Sequence, residues 1–111
     1  MNSLRNKVQL IGRLGQDPEI ITFEDGGKIA RFNLATDDSY KDKNGNKVER
    51  TYWHPVVVKN GLVKVVENYV TKGNEIAIEG KLTSRSYESK EGEKKYITEV
   101  VCNELLMLGG K

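Results

Sequence analysis

The chain has 111 residues, 37% of them hydrophobic and 31% charged, with a formal net charge of +2. That length allows one domain with a buried core, not two, and the single cysteine, Cys102, excludes a disulfide within the chain. No stretch approaches the ~20 apolar residues of a membrane span, and a net charge this small does not by itself announce a polyanion partner.

Met1 to Val8 carries Arg5 and Lys7 with no apolar run behind them, so no signal peptide is expected. From Lys7 to Leu14 the pattern alternates. Val8, Leu10, Gly12 and Leu14 fall on one face, and Lys7, Gln9, Ile11 and Arg13 on the other. Period two predicts a strand with one buried face, and Asp17-Pro18 ends it because proline lacks an amide donor. Asp25-Gly26-Gly27 predicts a hairpin turn. A second strand follows from Lys28 to Thr36, with Ala30, Phe32 and Leu34 on one side.

Residues Asp37 to Lys47 are polar, with Asn44-Gly45 as another turn pair. Val48 to Lys59 returns to strand chemistry, and Pro55 within it predicts a sheet edge or a bulge. Leu62, Val65, Val66, Tyr69 and Val70 then recur at helical spacing. They predict a helix from about Gly61 to Lys72, stopped near Gly73, whose valines make it depend on packing. Strand chemistry resumes at Glu75, with Ile76, Ile78, Gly80 and Leu82 alternating, and Gly92 marks a turn. Tyr96 to Cys102 is the last long strand, Leu105 to Leu108 a short addition, and Cys102 reads as a buried small hydrophobe.

The order is strand, strand, strand, helix, strand, strand. This predicts a mainly β chain, 1–111, forming one five-stranded oligonucleotide-binding barrel with its helix between strands three and four. A generic small β-barrel fits the same pattern.

Catalytic and metal-binding signals are missing. His54 is the only histidine, and no Cys/His cluster has zinc spacing. No G-x-S-x-G motif occurs. Asp42, Asn44 and Asn46 imitate the start of a calcium loop, but Lys47 stands where glycine is required and Trp53 where glutamate is. Asp37-Asp38 reads as solvated loop, and no phosphate loop follows Gly12. The expectation is therefore a protein that is not an enzyme, with no cofactor and no metal, in which His54 is structural or lies at an interface.

A protein that grips single strands of any sequence needs flat rings for bases and cations for phosphates. Tyr40, Trp53 and Tyr87 each have polar neighbours, with Lys41, Lys43, Arg50 and Arg85 close in sequence. On residue chemistry alone these rings fit a stacking surface or a core. Phe32 and Tyr69 read as core, and Tyr96 as core or hairpin packing.

Several segments in order and spacing carry a resemblance. They include Asn6-Lys7-Val8, Gly15-Gln16-Asp17-Pro18-Glu19, Leu34-Ala35-Thr36, Trp53-His54 and Lys72-Gly73. Ile78-Glu79-Gly80-Lys81-Leu82 and Thr98-Glu99-Val100-Val101 complete them. From Asn6 to about Gly110 the chain resembles the bacterial single-stranded DNA-binding proteins. The resemblance implies an oligonucleotide-binding fold, usually a homotetramer, that protects and organises single-stranded DNA in replication, recombination and repair. It implies base stacking by Tyr40, Trp53 and Tyr87, phosphate contacts by Lys7, Lys43, Lys72 and Arg85, and a subunit contact at His54. A cytoplasmic, nucleoid-associated location follows.

There are departures. Lys59 stands where the family has a stacking phenylalanine, and a lysine can bind a phosphate but cannot stack. Pro55 stands where a basic residue is usual. Weaker stacking and a smaller or shifted footprint are expected. The family commonly ends in a flexible tail with an acidic, hydrophobic tip, whereas this sequence ends at Gly109-Gly110-Lys111. Recruitment of replication and repair partners through such a tip is therefore not expected. The rival readings are an adaptor of a primosome-type assembly with weak DNA binding, a nuclease on the same barrel, and RNA as the ligand, since stacking tolerates either sugar.

Overall fold

The computed structural model describes residues 3–108. The sequence reading of Gly109 to Lys111 lies outside the described residues. Alternation of apolar and polar side chains produces most of the strands. These are β1 (Val8–Leu14), β2 (Glu19–Thr22), β3 (Lys28–Asp37), β4 (Tyr40–Lys41), β5 (Lys47–Val48), β6 (Thr51–Lys59), β7 (Glu75–Glu88) and β8 (Lys94–Leu108). A 3-10 turn covers Ser3–Asn6, and the α-helix, α1, covers Leu62–Tyr69.

The large sheet runs β1-β7-β8-β6-β3-β2, and β1 also pairs with β3 through Arg13–Ala35 and Leu14–Leu34. That second pairing closes the sheet on itself. The ring is β1, β3, β6, β8 and β7, with α1 between its third and fourth strands in chain order. This is the mainly β arrangement with one helix that the sequence predicts.

One cluster fills the barrel. Ala30, Phe32 and Leu34 of β3 point inward, as the alternation requires, and meet Val56 and Val58 of β6. Ile76 and Ile78 of β7 and Val100 and Cys102 of β8 complete it. Val63 and Val66 of α1 pack against these strands. Each buried valine, leucine, isoleucine or phenylalanine among them contributes about 1.5–3 kcal/mol on leaving water. Phe32 and Cys102 are core, as expected.

Several expectations need correction. The helix is eight residues long and not twelve: Val70 has extended backbone, although its N–H still donates to Val66 O. Packing explains the early stop, because leaving the helix turns Val70 into the core, where it is 2% exposed. Tyr69, read as core, is 67% exposed, since Val70 takes the inward place beside it. Gly73 does stand in the turn beyond, and its N–H donates to Leu14 O at 2.9 Å.

Pro55 sits inside β6 opposite Asn33 of β3, with the register unbroken. No bulge forms there. The parallel pairing of β6 with β8 starts only at Val56, so on that side Pro55 stands at a strand edge, the other of the two predicted alternatives. The Leu105 to Leu108 segment is not separate but continues β8. A bulge opposite Glu79/Gly80 inserts Asn103, which moves the inward positions from Val100 and Cys102 to Leu105 and Met107. Three strands were not predicted. β2 pairs with β3 across the Asp25-Gly26-Gly27 turn, where Gly26 has φ +92°. β4 and β5 form a two-residue ribbon inside the polar segment.

The radius of gyration is 16.1 Å, against about 13 Å for a compact chain of this length. Arms account for the excess. The β7–β8 ladder runs on to Glu88–Lys94, beyond the core. Leu82, on the inward side by alternation, is accordingly 48% exposed.

Candidate nucleic-acid interface

Successive strand residues point to opposite faces. Because the even-numbered residues of β3 and β6 fill the core, Arg31, Asn33 and Ala35 of β3 and Trp53, Pro55, Val57 and Lys59 of β6 face away from it. The register carries this face across β8 to Ile97, Glu99 and Val101, and across β7 to Lys81, Thr83, Arg85 and Tyr87. Trp53 and Tyr87, distant in sequence, therefore share one face. They are 56% and 46% exposed.

Trp53 is held by an absence. A methyl group added at Gly15 would come within 2.6 Å of two carbons of the indole ring, so the ring lies across bare backbone. The strand β1 ends just before it, and Gly73 and Asn74 tie the loop after α1 to Leu14. In the same loop the Lys72 N–H donates to Asp17 Oδ1 at 2.8 Å, which places Lys72 beside the Gly15–Asp17 turn that supports Trp53.

Tyr40 belongs to a different group. The Arg50 guanidinium stacks 5.1 Å from its ring centroid and also donates to the Tyr40 and Tyr52 hydroxyls at 3.3 and 3.4 Å. Tyr52 and Trp53 are adjacent and point oppositely, so Arg50 draws Tyr40 toward the other side of β6. His54 lies on the Tyr52 side, half-buried, with Nε2 3.0 Å from Thr36 Oγ1. Asp37, nearby, accepts hydrogen bonds from the Ser39 hydroxyl and N–H, which hold its carboxyl below the usual carboxylate range.

The predicted phosphate residues are also dispersed. Lys7 pairs with Glu79 at 3.6 Å, beside β1 and away from Trp53. Lys43 is exposed in the turn between β4 and β5, where Asp42 Oδ1 accepts the N–H groups of Asn44 and Asn46. The calcium-loop imitation is thus a turn closed by its own aspartate. Arg85 Nε donates to Glu99 Oε1 at 3.1 Å, and the bond holds the guanidinium pKa above its ordinary value. Glu99 is 5% exposed. Lys59 lines a cleft of about 1000 Å³ that also takes in Arg31, Lys81 and Arg85. A recess of about 200 Å³ adjoins it and shares Arg31, Val57 and Glu99. Among the described residues, no group of three or more His, Cys, Asp or Glu side chains is gathered as for a metal ion.

The model of the single-strand binding protein family matches residues 5–108. This chain belongs to that family. It is 48% identical over 107 residues to single-stranded DNA-binding protein 1 of Xylella fastidiosa, and 46% identical to the protein of that name from Chlorobaculum tepidum. It is 41% identical to the single-stranded DNA-binding protein of Neisseria meningitidis. In each case 96% of this chain is covered, against 79%, 66% and 61% of the relatives' own lengths. Among solved structures, the Plasmodium falciparum SSB complex with ssDNA superposes with a TM-score of 0.85 at 33% identity, covering 97% of both chains. A deletion mutant of the Thermus aquaticus single-stranded DNA binding protein superposes at 0.80 with 31% identity, covering 96% of this chain and 51% of that one.

Within this family member, the partners of two surface residues escaped the sequence reading. Glu99 follows polar Thr98 and precedes the apolar run Val100-Val101-Cys102, so alternation alone turns it outward, but nothing in the sequence names Arg85 as its partner. Arg50 stood among nearby cations, and its link between two tyrosines depends on the turn that folds β4 back onto β5 and on the Asp38 N–H to Arg50 O bond at the base of that ribbon. Among the described residues, no helix is long and apolar enough to cross a membrane.

Proposed function

We propose that the chain binds single-stranded DNA irrespective of sequence, as one domain, for its protection in replication, recombination and repair. The observation that carries this is the indole of Trp53, exposed across Gly15 on the same barrel face as Tyr87. Bases stack on Trp53 and Tyr87, and Tyr40 with its Arg50 partner receives the strand at the edge of the face. Lys72 beside Trp53, Lys43 on the β4–β5 turn, and Lys59, Arg85 and Lys7 neutralise phosphates. Arg85 keeps free donor positions while Glu99 holds its Nε side. No covalent step is needed, so the action is binding and not catalysis. Homo-oligomer formation, as a tetramer with His54 at the contact, and action at the nucleoid in the cytoplasm belong to the same reading.

The test uses Trp53, the only tryptophan. A thymidine homopolymer should quench its emission strongly at low salt, and duplex DNA should not compete. Each phosphate contact should contribute about −0.7 to the log–log slope of affinity against salt. Absence of both quenching and binding would discard the reading in favour of an adaptor that works through other proteins.

A further inference from the structure

The cleft of about 1000 Å³ extends beyond the two rings toward the β2–β3 turn and α1, and Phe23 lies on its rim. Phe23 is 48% exposed, an apolar ring in a polar turn with no place in the core cluster. Its backbone is fixed, since Phe23 N–H donates to Gly27 O at 2.7 Å and Gly26 N–H donates to Phe23 O at 3.0 Å.

The charge inside the cleft is one-sided once internal contacts are removed. Its three carboxylates are each engaged. Asp25 Oδ1 accepts the Gly27 N–H, Glu67 pairs with Lys28 at 3.3 Å, and Glu99 pairs with Arg85. Arg31, Lys59, Lys64 and Lys81 also line the cleft, and among the described residues they form no salt bridge. An unshielded ring beside unpaired cations is what a base and its flanking phosphates require. The cleft is continuous with the face described above: Lys59 lies six positions from Trp53 on the same side of β6. At about 3.3 Å per residue the separation is about 20 Å. A stacked strand rising about 3.4 Å per nucleotide bridges that with about six nucleotides.

We propose that this cleft is a second subsite for the same single strand, in which Phe23 stacks a base and Arg31, Lys59, Lys64 and Lys81 hold its phosphates. The inference rests on the function proposed above. It places a stacking ring at the turn between β2 and β3, and it makes affinity depend on oligonucleotide length.

The experiment compares oligothymidines of about 4 and about 15 nucleotides, within the range that one such fold covers, binding to the unsubstituted chain and to Phe23→Ala. Affinity is read by Trp53 quenching and by calorimetry. Phe23→Ala should leave the short ligand within about twofold and weaken the long one by about fivefold or more. Phe23→Tyr should restore it. Lys64→Gln and Lys81→Gln should each reduce the salt slope for the long ligand by about 0.7 and leave that for the short one unchanged. Because Phe23 is exposed, the variant should keep its melting temperature. Unchanged binding of the long ligand by Phe23→Ala overturns the subsite while leaving the Trp53 site standing. Loss confined to the long ligand supports it. If neither ligand quenches Trp53 but the long one binds through Phe23, the cleft stands and the Trp53 reading falls. If neither ligand binds, both fall.

Discussion

At the scale of the residue, side chains in this protein are set by what lies immediately beneath or beside them. Trp53 faces outward by its place in β6, and its ring can lie across the backbone there because Gly15 offers no side chain to displace it. Gly15→Val should lift the indole from the backbone, shift its emission, and weaken homopolymer binding by about 1–3 kcal/mol, the range expected for a lost stacking ring. Quenching and affinity unchanged from the parent would refute the support role. Cys102 shows the opposite situation. It is 4% exposed, and burial pushes its thiol pKa up. The native state then keeps a proton that the unfolded chain has lost. This thiol's contribution to stability is therefore complete below its ordinary pKa of about 8.5 and is lost as pH rises above it. In urea titrations at about pH 7 and about pH 9.5, the parent should lose more stability than Cys102→Ala; equal losses would count against it.

At the scale of the element, register matters more than propensity. Strand β3 is paired on both sides, by β6 along its length and by β2 and β1 at successive positions. Its Leu34 is fully buried and is the residue opposite both Leu14 of β1 and His54 of β6. Leu34→Ala should destabilise the fold by about 2–5 kcal/mol, the range for deleting a large core side chain that leaves a cavity. A urea midpoint within error of the parent would show that the closure does not depend on it. The helix illustrates the same priority. Its eight residues are too few to be stable alone, and two buried valines and the turn at Val70 determine where it ends.

At the scale of the whole molecule, the isolated chain leaves apolar surface bare. Ile11 and Leu106 are 57% and 62% exposed, beside a recess of about 380 Å³ at the β1–β7–β8 face. Exposed apolar surface of this kind is a mark of association, in keeping with the proposed homo-oligomer. Sedimentation equilibrium should give a mass of about four chains. Leu106→Lys should shift the distribution toward smaller species, and His54→Ala should do the same. A monomer in the parent protein at every concentration would remove the tetramer from the proposal.

The sequence by itself determined the parts of this protein that follow from local physics. Period-two alternation marked the faces of the strands around Leu14, Phe32 and Ile78, the glycine pairs marked the hairpins, and one helical stripe marked the element between the third and fourth long strands. The segments from Asn6 onward also carried the family. What the tertiary structure decided is which distant residues meet. Closure of β1 onto β3 and the register across β8 place Tyr87 on the face of Trp53, while the β4–β5 ribbon takes Tyr40 to Arg50 and Tyr52 instead. The bulge at Asn103 reverses the inward positions of β8, and Val70 displaces Tyr69 from the core. Partners such as Arg85 and Glu99, or Phe23 and the cations of its cleft, are 14 or more positions apart in sequence or lie on different elements. Their meeting depends on strand order and barrel curvature, which no local pattern records.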